Sequence, residues 1–154
     1  MIRRSKMRMM LCVTLLILLV AFIWGNSLLP ASMSSALSRW VRSVLGFTVQ
    51  GSESTGEGVL RKLAHFGEFA LLGVCLSWLF AMLQSRYAKI AALAVACAAL
   101  TACVDETIQF FSPGRNPSLI DVGIDTAGAA VGVTLLFIGY TFIKNKKIFW
   151  RKTQ

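Results

Sequence analysis

The chain has 154 residues, of which 56% are hydrophobic, and its formal net charge is +9 at pH 7. This apolar share and the mean hydropathy of +0.67 exceed the roughly 45 to 50% apolar content of soluble domains, which excludes a soluble globular protein. We expect an all-α integral membrane protein, because a helix satisfies its own backbone hydrogen bonds inside a bilayer. No compact soluble basic domain offers a nucleic-acid surface, so we predict no nucleic-acid partner and interpret the positive charge as a topology signal.

Four apolar segments are long enough for the roughly 20 residues that a bilayer core requires. They predict a four-transmembrane-helix bundle with spans at about residues 9–29, 62–84, 87–109 and 121–143. Together these spans form one membrane domain, residues 1–154. The first segment has an alternative interpretation as a secretory signal, because basic residues precede it. Its apolar run is longer than the signal core of about 7 to 15 residues, which favours an anchor.

The charges indicate how the chain crosses the membrane. The N-terminal tail, the short link around Arg86 and the C-terminal tail carry Lys and Arg but no Asp or Glu. All seven acidic residues fall on the opposite side of the predicted bundle. By the positive-inside tendency, both termini are predicted to be cytoplasmic, in a multi-pass protein of the bacterial cytoplasmic membrane.

The predicted outer loop, residues 30–60, contains one amphipathic stretch. Residues 30–47 place apolar side chains on one helical face, at Met33, Leu37, Trp40, Val41 and Val44. This pattern predicts an interfacial helix on the outer membrane surface, and a helix that caps the bundle is the alternative. Residues 48–58, TVQGSESTGEG, contain several Gly and Thr residues and predict a linker.

Polar side chains recur near the predicted outer ends of three spans. In RKLAHFGEFALLG, residues 61–73, Arg61, His65 and Glu68 fall within an arc of roughly 60° on a helix. Counted from the cytoplasmic ends, Glu68 and Asp105 lie about 24 Å, and Asp125 about 28 Å, into a core roughly 30 Å thick. Three spans therefore deliver polar groups to one layer.

We weigh two interpretations of this layer. One is a closed network of ion pairs that joins helix ends. The other, which we favour, is a ligand-binding pocket, because ionisable clusters inside membranes usually mark functional sites. The predicted ligand-binding residues are Arg61, Lys62, His65, Glu68, Asp105, Glu106, Gln109, Arg115, Asp121 and Asp125.

Small residues on the fourth span predict close helix packing. Gly128 and Gly132 form a GxxxG pattern, which lets another backbone approach closely and offers a surface for a homo-oligomer. The four cysteines lie inside spans without CxxC spacing, so we predict neither a disulfide framework nor a thiolate metal site.

Three blocks of this sequence resemble the signature blocks of the VanZ-like membrane proteins. They are RKLAHFGEFALLG, DETIQFFSPGR and SLIDVGIDTAGAAVG, which are similar to the family patterns RKxxHxxEY, DExxQ followed by GR, and Dxxx(N/D)xxG. The resemblance covers residues 59–132 closely and WGNSLLP more loosely. Phe69 and Asp125 stand where the family often has tyrosine and asparagine. The positions that carry the match are Arg61, Lys62, His65, Glu68, Asp105, Glu106, Gln109, Gly114, Arg115, Asp121 and Gly128.

The resemblance implies a role in the cell envelope, since the family takes its name from a protein associated with teicoplanin resistance. The first hypothesis is a binding protein for a lipid-tailed ligand at the outer leaflet. The ligand would be a membrane lipid, a lipid-linked cell-wall precursor or a teicoplanin-type lipoglycopeptide. Arg61, Lys62 and Arg115 would contact its phosphate or carboxylate oxygens.

The second hypothesis is a membrane-embedded hydrolase or transferase that acts on a lipid-linked phosphate or sugar. His65 would be the nucleophile or general base, oriented by Glu68 or by Asp105. We predict no cofactor, although a variant places a divalent cation between Glu68, Asp105 and Asp121. A small transporter is the third hypothesis, against which the position of the cluster near one surface argues.

Overall fold

The computed structural model describes residues 2–45, 53–83 and 85–152, and within these ranges it contains five helices and no strand. In chain order they are α1 Ile2–Ser27, α2 Ala31–Leu45, α3 Glu53–Leu83, α4 Tyr87–Phe110 and α5 Leu119–Lys152.

Four of these helices are long and apolar enough to cross a membrane. The spanning segments are Lys6–Ser27 in α1, Gly58–Leu83 in α3, Tyr87–Phe110 in α4 and Leu119–Lys144 in α5. The predicted all-α membrane fold with four spanning helices is therefore confirmed. The orientation of the termini stays a prediction.

The segment between the first two spans differs in part from expectation. A helix, α2, forms over Ala31–Leu45, and its position on the membrane surface stays a prediction. The predicted linker is wrong for residues 53–58, since α3 begins at Glu53, while residues 46–52 lie outside the described part of the chain.

Helix α3 packs against all four other helices, most extensively against α5. Glycines bring the α3 and α5 backbones close together. A Cβ built on Gly128 would lie 2.5 Å from the carbonyl oxygen of Phe66, and one on Gly132 would overlap the carbonyl of Ala70. In the opposite direction, a Cβ on Gly73 would overlap the carbonyl of Ala129.

The close backbone approach predicted for the GxxxG pattern is thus present, and its partner is α3 of the same chain. Gly128 and Gly132 are buried in this contact. These two glycines are therefore occupied within the chain and do not offer a surface to a second copy.

Small residues also let α4 approach the bundle. Ala94, Ala98 and Ala102, spaced four apart, form one fully buried face, and the core around Ala98 and Ala102 includes Ile23 and Phe69. Large apolar side chains point away from the bundle at many positions, as expected where lipid is the solvent. The four cysteines are free thiols.

The glycine contact gives a stability prediction. Gly132→Ala should lower the free energy of unfolding by about 1–3 kcal/mol, because its methyl group meets backbone that cannot move aside cheaply. Gly123→Ala is the matched control, since a Cβ there meets nothing within 4 Å. Thermal unfolding of the purified protein in detergent measures both. A Gly132→Ala midpoint equal to or above that of Gly123→Ala would contradict the α3–α5 packing.

Candidate ligand-binding site

The polar residues meet at one end of the bundle. There α1 ends at Ser27, α4 ends at Phe110 and α5 begins at Leu119. Helix α3 runs past this end and presents residues 61–68 to it. The layer predicted from sequence therefore exists as one contiguous region.

Asp105 of α4 is at the centre of the buried network. Its Oδ2 accepts hydrogen bonds from Ser27 Oγ at 2.8 Å and from Gln109 Nε2 at 2.9 Å. Ser112 Oγ donates to the Ser27 carbonyl at 2.8 Å, and Asn26 Nδ2 donates to Glu68 Oε1 at 3.3 Å. These bonds attach the end of α1 to α3 and α4.

Arg115 lies inside this end of the bundle and not on an exposed loop. Its Nε and Nη2 donate to the carbonyls of Leu29 and Asn26 at 3.3 and 3.2 Å, and Nη1 donates to Gln109 Oε1 at 3.5 Å. It thus gives the Leu29 carbonyl a partner beyond the end of α1 and shares the Asn26 carbonyl with the Leu29 backbone N–H. The preceding Gly114 has φ +74°, a left-handed conformation that glycine adopts without strain and that turns the chain here.

Burial is the main factor that lowers the pKa of Arg115, and the nearby charge of Arg61 lowers it further. An arginine nevertheless stays protonated in proteins. Arg115 was predicted to contact ligand, but its donors are engaged within the chain. We therefore assign it a structural role.

Two acidic residues also have partners within the chain. Glu106 Oε2 accepts the Ser118 backbone N–H at 2.7 Å just before α5 begins, and Lys62 Nζ lies 2.5 Å from Asp121 Oδ1. Part of the layer is therefore a network joining helix ends, as the alternative interpretation held.

His65 differs from these paired residues. It is buried, and its Nδ1 has no hydrogen-bond partner. This nitrogen lies 3.8 Å from Glu68 Oε2 and 3.8 Å from Asp105 Oδ2, too far for a hydrogen bond. One potential ligand atom each of His65, Asp105 and Asp125 lies within 4.8 Å of the others.

This group differs from the divalent-cation site suggested by the sequence, which consisted of Glu68, Asp105 and Asp121. In the described part of the chain those three do not form such a group. Asp121 is paired with Lys62, and Glu68 accepts from Asn26. Asp125 takes the place of Asp121.

A small polar cleft opens beside His65 between α3, α4 and α5. Its volume of about 10 Å³ has room for about one water-sized sphere. All but Ile124 of its lining residues were predicted from sequence, whereas Glu68, Asp105 and Arg115 are not part of the lining. The lining consists of Arg61, Lys62, His65, Glu106, Gln109, Asp121, Ile124 and Asp125.

The sequence interpretation missed three contributors, namely Asn26, Ser27 and Ser112. The available signal was the polar pair in WGNSLLP at the end of an apolar span. Polar residues there required partners, and the structure shows that Glu68 and Asp105 provide them.

The fold and this site define a class of protein: a multi-pass membrane protein with a buried ionisable cluster at one end of its helix bundle. The model of the VanZ/LLP1 family matches residues 12–142, most of the chain. This protein belongs to the VanZ/LLP1 family. Comparisons with curated proteins and with solved structures gave no match.

The Arg115 contacts predict a geometry-dependent effect on stability. Arg115→Lys keeps the charge but loses the fork of donors, so the side-chain hydrogen bonds to the Leu29 and Asn26 carbonyls and to Gln109 cannot all form. The free energy of unfolding should fall by about 1–3 kcal/mol. Arg8→Lys, at an exposed position of α1, is the control in the same thermal unfolding assay. Equal midpoints for the two variants would refute the structural role of Arg115.

Proposed function

We propose that this protein binds the anionic headgroup of a lipid-tailed ligand at the outer leaflet of the bacterial cytoplasmic membrane. The observation that carries this proposal concerns the position and the partners of the Arg61 side chain. Its side chain lines the polar cleft, and its guanidinium makes no hydrogen bond or ion pair to another residue in the described ranges. A guanidinium there is suited to phosphate or carboxylate oxygens, and a cleft with room for about one water would take a single oxygen of the headgroup.

The neighbouring residues suit the rest of a headgroup. The Lys62–Asp121 pair borders the cleft, with side chains that are 42% and 20% exposed. A partly exposed ion pair is weak, so a ligand anion can take Lys62 from Asp121 at little cost. Glu106 and Asp121 carry oxygens that accept hydrogen bonds from amines and hydroxyls.

An apolar groove supports the idea of a lipid tail. It lies between α1, α3 and α4, has a volume of about 420 Å³ and is lined by residues that include Trp24, Leu72 and Thr101. Leu72 is one helical turn deeper than Glu68, and Thr101 one turn deeper than Asp105. The groove therefore borders the part of the polar layer formed by Glu68 and Asp105, on the α1 side, whereas the cleft that Arg61 lines lies between α3, α4 and α5.

The charge distribution supports the outer leaflet, because the basic tails and the Arg86 link belong on the cytoplasmic side. Two ligands fit this chemistry: a lipid-linked cell-wall precursor and a teicoplanin-type lipoglycopeptide. Binding the second would lower susceptibility to that drug.

A second candidate function is a hydrolase or transferase for a lipid-linked phosphate or sugar. It is favoured by the unpartnered Nδ1 of His65 close to Asp105, which leaves the imidazole available as a base or nucleophile. Nothing in the described residues favours the transporter hypothesis in the same way. The polar cluster lies at one end of the bundle, whereas transport sites usually lie near its middle.

Binding of a headgroup can be tested with a matched pair of lipids. A polyprenyl phosphate should raise the unfolding temperature of the purified protein more than the corresponding polyprenol, which lacks the phosphate. Arg61→Gln should weaken phosphate binding about tenfold, the loss expected for one charge-assisted hydrogen bond. Lys89→Gln, at an exposed position near the opposite end of α4, is the charge-matched control.

Equal stabilisation by both lipids, or equal effects of the two variants, would contradict headgroup binding at Arg61. Analysis of the lipid after incubation separates the two candidates. Conversion of the polyprenyl phosphate that His65→Gln abolishes would establish the enzyme.

The lipoglycopeptide prediction is tested in a sensitive Gram-positive host. The native protein should protect against teicoplanin but not against vancomycin, because only teicoplanin has a lipid tail. Arg61→Gln and His65→Ala at matched membrane levels should lose this protection. Absence of protection by the native protein would exclude the drug as a ligand and leave the cell-wall precursor.

A further inference from the structure

We propose that His65, Asp105 and Asp125 bind a Zn²⁺ ion. This inference does not rest on the proposed lipid ligand. It starts from the position of the three residues, which α3, α4 and α5 each contribute singly. Their potential ligand atoms lie within 4.8 Å of one another.

The geometry is close to that of a metal site. Around a tetrahedral Zn²⁺ with bonds of about 2.1 Å, ligand atoms lie about 3.4 Å apart. His65 Nδ1 lies 3.8 Å from Asp105 Oδ2, but Oδ2 already accepts two hydrogen bonds, so Oδ1 of the same carboxylate is the oxygen available to the ion. Binding would draw the three ligand atoms, which lie within 4.8 Å of one another, closer together.

Burial and missing hydrogen bonds point to a ligand that the protein itself does not supply. The residues are 6%, 0% and 2% exposed for His65, Asp105 and Asp125. His65 Nδ1 and Asp105 Oδ1 are both buried without a hydrogen-bond partner. Such groups are costly inside a membrane, and a cation would satisfy both.

The charge balance leads to the same conclusion. Asp105, Asp125 and Glu68 are close together, and none of the three forms an ion pair with a Lys or Arg in the described ranges. Arg61 lines the cleft beside Asp125 without pairing with it. Lys62 pairs with Asp121, and Arg115 donates to backbone carbonyls and Gln109. A divalent ion would neutralise carboxylates that otherwise have no cationic partner among the described residues.

The surroundings hold Asp105 in place for this role. Ser27 and Gln109 both donate to its Oδ2, which fixes the carboxylate and leaves Oδ1 free. Supporting hydrogen bonds of this kind are typical of carboxylates that bind metals.

The donor set and the available space indicate the metal. One imidazole nitrogen with two carboxylate oxygens suits Zn²⁺, and three protein ligands leave a fourth position for water or a ligand oxygen. Mg²⁺ requires six ligands and retains several waters, and the cleft beside His65 and Asp125, which Asp105 does not line, has room for about one.

The experiment uses the full chain in detergent, stripped with a chelator and reloaded with Zn²⁺ alone. Elemental analysis after desalting should find about one Zn²⁺ per chain, retained in a roughly thousandfold excess of Mg²⁺. Asp125→Asn and His65→Gln should each weaken Zn²⁺ binding at least tenfold by calorimetric titration. Cys103→Ser, which removes an exposed thiol of α4 outside the cleft, should bind as the native protein does.

Several results would overturn the proposal: no Zn²⁺ on the native chain, displacement by Mg²⁺, or equal binding by all three variants. If His65→Gln or Asp125→Asn fails to fold, Co²⁺ loading of the native protein decides. Visible absorption with the intensity of a four-coordinate ion supports the site, and its absence overturns it. Because no lipid enters these measurements, their outcome is separate from that of the headgroup proposal.

Discussion

The close approach of α5 to α3 is the constraint on which the site depends. At Gly128 the α5 backbone rests against the carbonyl of Phe66, the residue that follows His65. Asp125 lies three residues before Gly128, close to one helical turn away. Any side chain at Gly128 would move α5 outward and separate Asp125 from His65. The glycine contact therefore sets the distance between the two residues that most distinguish this site.

A second constraint is the need to satisfy polar groups that the bilayer cannot hydrate. Asp105 meets it through Ser27 and Gln109, and the end of α1 meets it through Arg115. These contacts join α1, α4 and the α4–α5 turn across long sequence separations. Breaking one would leave its partner buried and unpaired, which costs more than the bond itself contributes.

The family and the polar cluster give different kinds of information about this protein. The family establishes the kind of membrane protein, whereas the chemistry must be argued from the site. Arg61 offers a positive charge at the cleft, and His65, Asp105 and Asp125 offer donor atoms for a cation beside it. A phosphate oxygen is a ligand that both a guanidinium and a bound metal attract. The two proposals are thus compatible, although neither requires the other.

The sequence by itself determined the class of fold and the membership of the polar layer. The length of the apolar runs requires spanning helices, and the 3.6-residue period places Arg61, His65 and Glu68 on one face. The missed contributors, such as Ser27, lie in a less polar span whose partners come from distant sequence. The polar pair Asn26 and Ser27 indicated that partners were needed, but not that Glu68 and Asp105 provide them.

Only the tertiary structure decided which residues of the layer are partners. Helical periodicity determines the directions of the side chains within one helix, but not the relative height and rotation of two helices. Here the height and rotation of α5 against α3 follow from the glycine contacts between them. For this reason Asp121 pairs with Lys62, and Asp125 faces His65. The turn at Gly114 likewise directs Arg115 into the bundle, because its conformation depends on contacts with α1 that no local pattern encodes.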